Sequence, residues 1–237
     1  MRLDKFLSET NTLTRSEAKA AIKKGQVSVN GSVNKDSGAN ISETSDLIRF
    51  QNKLIEYHRY LYFVLNKPAG YVVSENEEDG EPVSKLLPEE YKNRLKPVGR
   101  LDKNTSGFLL FTNDGETAHN LLSPKKHVEK TYLVKCEKGV SPEDIRCLEE
   151  GVNIGDGETS LPAKVKRGSD ETEIYLTIHE GKYHQVKRMM VATCNKVISL
   201  KRISFGGLTL ENLSIEEGEG RLLSDEETAI LLTKGIK

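Results

Sequence analysis

The sequence predicts an α+β protein in two unequal parts. Strand signals and helix signals alternate irregularly, with no strict β-α-β repeat. The character of the chain changes around residues 50 to 60, where QNKLIEYHRY separates a short basic region from a longer, strand-rich one. The 237 residues suit one large domain or a small one plus a medium one, and the shift in character favours the second. The expected division is a first domain over 1–50, a linker over 51–60 and a second domain over 61–237.

The first fifty residues supply two helices and a hairpin. Leu3, Phe6 and Leu7 fall at i, i+3 and i+4, the spacing of a short amphipathic helix. Thr14-Arg15-Ser16-Glu17 has a hydroxyl and, three residues on, a carboxylate, which is the spacing of a capping box. Ala18, Ala21 and Ile22 form the apolar face of the helix that follows, and Gly25 is a suitable stop. Arg15, Lys19 and Lys23 recur every four residues and so share one face. That stripe is either a solvated helix face or a surface for a polyanion. Val27, Val29 and Val33 flank Asn30-Gly31, a strong hairpin signal.

The second part opens with LYFVLNKPAGYVVS, read as strand, turn and strand. Residues 75–97 are polar, with a short helix expected in LLPEEY. Phe108 to Phe111 is an apolar strand, and Asp114 is placed to cap a helix through Leu122. KTYLVKC and TEIYLTIHEG read as strands, the latter by alternation of Ile174, Leu176 and Ile178. Ser141-Pro142 followed by acids marks another helix start. In YHQVKRMMVATCN, Val186, Met189, Met190 and Thr193 share one helical face. Short strands, an acidic loop and a last helix near 224–234 close the chain.

Composition excludes several classes. Charged residues are 30% and hydrophobic ones 36%, a globular balance. No run of about 18 apolar residues exists, so no membrane span is expected. The first ten residues lack the apolar core of a secretory signal. Three scattered cysteines, Cys136, Cys147 and Cys194, imply neither a disulfide framework nor a zinc site, which fits a reducing cytoplasm. The formal net charge is -1, but cations crowd residues 2–24 and 182–202 while acids crowd the tail. Local basic regions can meet a polyanion even when the total is neutral.

Three stretches can carry chemistry. In GRLDKNTSGFLLFTNDGE, Asp102 stands between Arg100 and Lys103, directly before the apolar strand. It is either an active-site acid beside an anionic substrate or a turn aspartate bonding its own backbone. In HEGKYHQVKRMM, His179 and His184 lack the H-E-x-x-H spacing of a zinc helix, and Gly181 breaks the segment between them. Lys187 and Arg188 fall in the first turns of the expected helix, starting near Tyr183 or His184. Cations there oppose the helix dipole, so a carboxylate or phosphate near that end is expected; two solvated cations are the plainer alternative. In EKTYLV, Tyr132 is a core tyrosine or a ring for stacking on a base. Lys67 in NKPAG is a backbone contact or a polar turn residue. Phosphate-binding glycine loops and nucleophile elbows are absent.

MRLDKFL and TRSEAKAAIKKGQVSVNG resemble the S4 RNA-binding domain. NKPAGYVVS, GRLDKNTSGFLLFTNDGE, EKTYLV, EGKYHQVKRMM and SLKRISFGG follow in the order found in pseudouridine synthases of the RsuA type. The resemblance implies a first domain whose Arg2, Lys5, Arg15, Ser16, Lys19 and Lys23 touch RNA backbone. It also implies a catalytic domain with a bent, mainly antiparallel sheet and flanking helices. The family isomerises uridine in RNA. By that resemblance Asp102 is the essential aspartate, acting as nucleophile or as base on the ribose. Lys187 is its basic partner, where many relatives have arginine, and Tyr132 packs on the target uracil. Arg100 fills the space of the flipped nucleotide or holds a phosphate; Lys67 and Arg188 are further RNA contacts. Isomerisation needs no redox carrier, so no cofactor and no metal are expected. The expected substrate is small-subunit (16S) ribosomal RNA, naked or in a partly assembled subunit, with large-subunit (23S) RNA or a non-catalytic S4-type assembly factor as alternatives. A monomer is expected, away from membranes.

Overall fold

The computed structural model describes residues 1–10, 12–74 and 79–234. Residues 75–78 of the polar 75–97 stretch lie outside the described residues. The chain divides into two units, Met1–Arg59 and Tyr60–Lys237.

In the first unit, α1 (Leu3–Glu9) and α2 (Arg15–Lys23) precede β1 (Val27–Val29), β2 (Ser32–Val33), β3 (Ile48–Phe50) and β4 (Lys53–Leu54). The sheet order is β2-β1-β3-β4. The capping box forms: Thr14 Oγ1 accepts from Glu17 N, and the Glu17 carboxylate accepts from Thr14 N at 2.8 Å. Leu3, Phe6 and Leu7 of α1 and Ala18, Ala21 and Ile22 of α2 bury their predicted faces in one cluster with Val27, Ile41 and Ile48. The expected linker needs correction. Residues 51–54 form the turn and second strand of a β3–β4 hairpin, and Ile55 and Tyr57 pack on this core. The mixed Ile/Tyr content hides this, because a two-residue strand leaves no periodicity to read.

The second unit runs β5 (Tyr62–Lys67), α3 (Glu89–Lys92), β6 (Lys96–Pro97), β7 (Thr105–Thr112), α4 (Gly115–Leu122), β8 (Lys130–Cys136) and α5 (Pro142–Glu150). Then come β9 (Asn153–Gly155), β10 (Glu158–Thr159), β11 (Lys164–Arg167), β12 (Glu173–Ile178), α6 (Gln185–Ala192) and β13 (Val197–Phe205). β14 (Leu208–Thr209), α7 (Leu210–Leu213), β15 (Gly220–Leu222) and α8 (Asp225–Lys234) end it. The main sheet is ordered β11-β12-β8-β13-β7-β5-β15, with β6 on β7 and β14 on β13. Its pairings are antiparallel except β13 with β7, which is parallel.

Burial follows position in the sheet. β5 is buried at every residue, because alternate side chains enter two cores: Phe63 and Leu65 one, Tyr62 and Val64 the other. The Phe108–Phe111 run divides the same way, as a strand covered on both faces must. β8 and β12 alternate buried and half-buried, so only one of their faces is covered. The covering on that face includes Leu148 of α5 and Val186, Met189 and Met190 of α6. Each fully buried side chain of this kind stabilises by roughly 1.5–3 kcal/mol. Gly107, in β7 opposite Arg202, has φ +105 and admits no Cβ: one would sit 2.1 Å from Arg202 O. A glycine is therefore required where the parallel pair meets.

Candidate active site

The sheet builds its central pocket where β7, β8 and β13 lie side by side and α6 approaches from the covered face. Asp102 sits in the loop before β7. Leu101, 6% exposed, anchors that loop in the core, and Thr105 N donates to Asp102 O at 3.0 Å. Lys187, in the first turn of α6, reaches across to place Nζ 2.6 Å from Asp102 Oδ2. Both side chains remain partly open to the pocket. The αL backbone of His184 (φ 49) starts the helix and turns its ring toward the same carboxylate, Nε2 3.5 Å from Oδ1. Tyr183, 76% exposed, stacks on that ring with centroids 3.8 Å apart. His179 instead sets Nδ1 3.0 Å from His127 O, so the two histidines of the motif turn to different partners.

Strand alternation puts Tyr132 and Lys130 of β8 on one face, and register puts Tyr132 across from Arg202 of β13. Asp102, Lys187, Tyr132 and Arg100 all line the pocket, with Lys130, Thr105, Gln185 and Arg202. Its volume is about 130 Å³. An apolar cavity of about 150 Å³ takes a benzene ring, so a single six-membered heterocycle is the right scale of occupant.

Two of the expected RNA contacts need correction. Lys67 is fully buried, and its ammonium donates to the carbonyls of Pro68 at 2.9 Å, Lys103 at 3.3 Å and Thr105 at 2.8 Å. It staples the loop that carries Asp102 and presents no cation to solvent. Burial pushes its pKa down to about 8, against the pull of Asp102 and Glu217. Arg188 turns away from the pocket. It donates to Ile154 O at 2.7 Å, Gly155 O at 3.0 Å, Glu158 at 2.7 Å and Asp156 at 3.1 Å, tying α6 to the β9–β10 hairpin. The anion expected near the start of α6 is thus a set of carboxylates from this chain: Asp102 for Lys187, Asp156 and Glu158 for Arg188.

In the first unit, Arg2 donates twice to the buried Asp4, at 3.0 and 2.9 Å, and Arg15 approaches the same carboxylate at 3.8 Å. The Arg2 hydrogen bond is the main reason that the Asp4 pKa falls below its ordinary value. Lys5 lies 3.4 Å from Glu9, and Ser16 Oγ lies 3.2 Å from Thr14 Oγ1. Lys19 and Lys23 stand exposed on α2.

Sequence reasoning assigned no role in the pocket to His184, Thr105, Lys130 or Arg202. Lys130 was within reach of it, since it lies two residues before Tyr132 on a strand. Arg202 was not, because its face depends on pairing with β7 and β8. Arg202 is 3% exposed; Nε donates to Phe108 O at 2.7 Å, and the guanidinium lies 5.2 Å from the centroid of the Phe205 ring. Nη2 of Arg202 and Oγ1 of Thr105 are buried with no partner among the described residues. An unsatisfied buried donor costs about 1–3 kcal/mol. Burial, reinforced by repulsion from Arg202, pushes the Lys130 pKa down to about 8.

A loop carboxylate ion-paired to a helix lysine, lining a base-sized pocket together with a tyrosine, accompanies similarity along nearly the whole chain. The RNA pseudouridylate synthase family model matches residues 61–192, and the S4 domain matches residues 1–48. The chain belongs to the RNA pseudouridylate synthase family. It is an enzyme of that kind with an S4 domain at its start. It is 43% identical over 235 residues to the RNA pseudouridine synthase YtzG of Bacillus subtilis, covering 98% of both chains. It is 41% identical to ribosomal small subunit pseudouridine synthase A of Haemophilus influenzae, covering 96% of this chain and 97% of that one. The Escherichia coli protein of the same name is 37% identical, covering 97% and 99%. A crystal structure of a pseudouridylate synthase superposes with a TM-score of 0.68 at 39% identity, over 98% of this synthase and 99% of that chain. No helix among the described residues of the synthase is long and apolar enough to cross a membrane.

Proposed function

We propose that this synthase converts a uridine of small-subunit ribosomal RNA to pseudouridine, in the cytoplasm where that RNA is assembled into particles. The substrate assignment rests on likeness to relatives whose names specify the small subunit. Asp102 is the catalytic carboxylate and Lys187 its counter-charge. The observation that carries this reading is the 2.6 Å contact between Lys187 Nζ and Asp102 Oδ2 at the edge of a base-sized pocket.

In the reaction the C1′–N1 bond breaks, the uracil turns, and C1′ joins C5. The hydrogen leaves C5 and N1 gains one, so the formula is unchanged. Asp102 acts on the ribose, either by bonding to C1′ or by taking a proton from C2′. Tyr132 offers its ring to the base. Arg100, exposed at the pocket rim, meets the phosphate or fills the gap left by the extruded nucleotide. Arg2, Lys5, Arg15, Ser16, Lys19 and Lys23 hold RNA backbone and position the protein. Arg2 and Arg15 do so while also neutralising Asp4.

The test is pseudouridine tagging with primer-extension stops on unmodified small- and large-subunit RNA, naked and partly assembled. One stop in small-subunit RNA is expected with wild type and none with Asp102→Asn, which should still bind RNA. A stop confined to large-subunit RNA overturns the substrate assignment. Activity in Asp102→Asn near that of wild type overturns the role of Asp102.

A further inference from the structure

The pocket contains more positive charge than Asp102 can balance. Lys187 already accounts for Asp102. Behind that pair, Arg202 and Lys130 are both buried, 3% and 7% exposed, and neither forms an ion pair among the described residues. Of the Arg202 donors, Nε alone has a protein acceptor among those residues, Phe108 O. Lys130 Nζ donates to a single carbonyl, Val128 O at 2.9 Å. Thr105 Oγ1, like Arg202 Nη2, is buried without a partner among the described residues. All three line the pocket that also contains Asp102 and Tyr132.

Donors left unmatched in a buried wall lower stability unless an occupant matches them. The occupant must be planar and small, must accept hydrogen bonds, and must become negative during the reaction. Uracil does so. When C1′–N1 breaks, the electron pair leaves with the base and spreads over N1 and the two carbonyl oxygens, O2 and O4, while C1′ is taken by the Asp102 carboxylate or C2′ loses its proton to it. The pair returns when C5 attacks C1′, as the Asp102 carboxylate leaves C1′ or gives its proton back to C2′; the C5 proton is then lost and N1 is protonated. We propose that Arg202, with Lys130 beside it and Thr105 as a neutral donor, forms an anion-stabilising wall. It binds a carbonyl oxygen of the uracil and holds the detached base while it turns. This rests on the pseudouridine reading above. Fixed donors in a dry site stabilise developing charge without reorganising, so their effect falls on the chemical step.

The test compares wild type, Arg202→Lys and Lys130→Met on small-subunit RNA carrying uridine or 5-fluorouridine, with nucleosides analysed after digestion. Fluorine makes the departing base a better anion in itself, so the wall matters less. At saturating RNA, Arg202→Lys should lower kcat about 100-fold on uridine, with RNA affinity near wild type. Its loss of rate in consuming 5-fluorouridine should be several-fold smaller. Lys130→Met, which leaves the Arg202–Phe108 bond intact, should show the same contraction and serves if Arg202→Lys does not fold. Equal losses on both substrates, a loss in affinity alone, or kcat near wild type would overturn the proposal and leave the pseudouridine reading standing. No conversion by wild type would overturn both.

Discussion

Lys67 and Lys130 are buried lysines whose pKa values fall from 10.5 to about 8, in both cases chiefly by burial. They do different work under the same penalty. Lys67 commits its three N–H groups to backbone carbonyls around the Asp102 loop, whereas Lys130 keeps donors toward the pocket. Below pH 8 both are protonated in folded and unfolded chains, and the burial penalty is fully present. Above it the folded protein releases protons that the unfolded chain still holds, so stability rises with pH. Cys136, pushed up to about 11 by burial, acts in the opposite sense from about pH 9. The clean window is therefore about pH 8 to 9. Urea unfolding should show each lysine adding on the order of 1 kcal/mol across it. Lys130→Met should remove its share of the slope; an unchanged slope would mean that Lys130 titrates normally in the fold.

Helix α6 supplies Lys187 to the pocket, but its place is fixed by Arg188 and by Val186, Met189 and Met190. The two neighbouring cations look equivalent in sequence and differ completely in structure. A step of about 100° around the helix sends Lys187 to Asp102 and Arg188 to the β9–β10 hairpin. Arg188→Ala should destabilise the enzyme by about 1–3 kcal/mol, by removing three carbonyl bonds and two carboxylate partners, and leave RNA affinity unchanged. Thermal melts and filter binding test this; weakened affinity with an unchanged melt would return Arg188 to the RNA surface. The capping residues of α2, α4 and α5 were legible in the sequence because their bonds span three residues. The face of β13 was not, because its parallel contact with β7 joins residues almost a hundred positions apart.

At the scale of the molecule, each unit has its own hydrophobic cluster or clusters, the condition for folding as a separate unit. Removing residues 1–59 should leave the second unit folded. It should weaken binding to ribosomal RNA and flatten its salt dependence, by about 0.9 in log–log slope for each phosphate that the first unit neutralises. Unchanged affinity and slope would remove the first unit from RNA recognition. The motif GRLDKNTSGFLLFTNDGE, the α2 stripe and the order of the later motifs carried the family and the choice of Asp102, Tyr132 and Lys187 as candidates. The local signals, a turn, a helix period and a strand alternation, left each of these residues with a plainer reading; the resemblance singled them out. Tertiary structure alone decided that Lys67 is an internal staple, that Arg188 is a tie between elements, and that Arg202, Lys130 and Thr105 share the pocket. Burial and unmet donors depend on which strands become neighbours, and a sequence read along its own axis does not contain that distance.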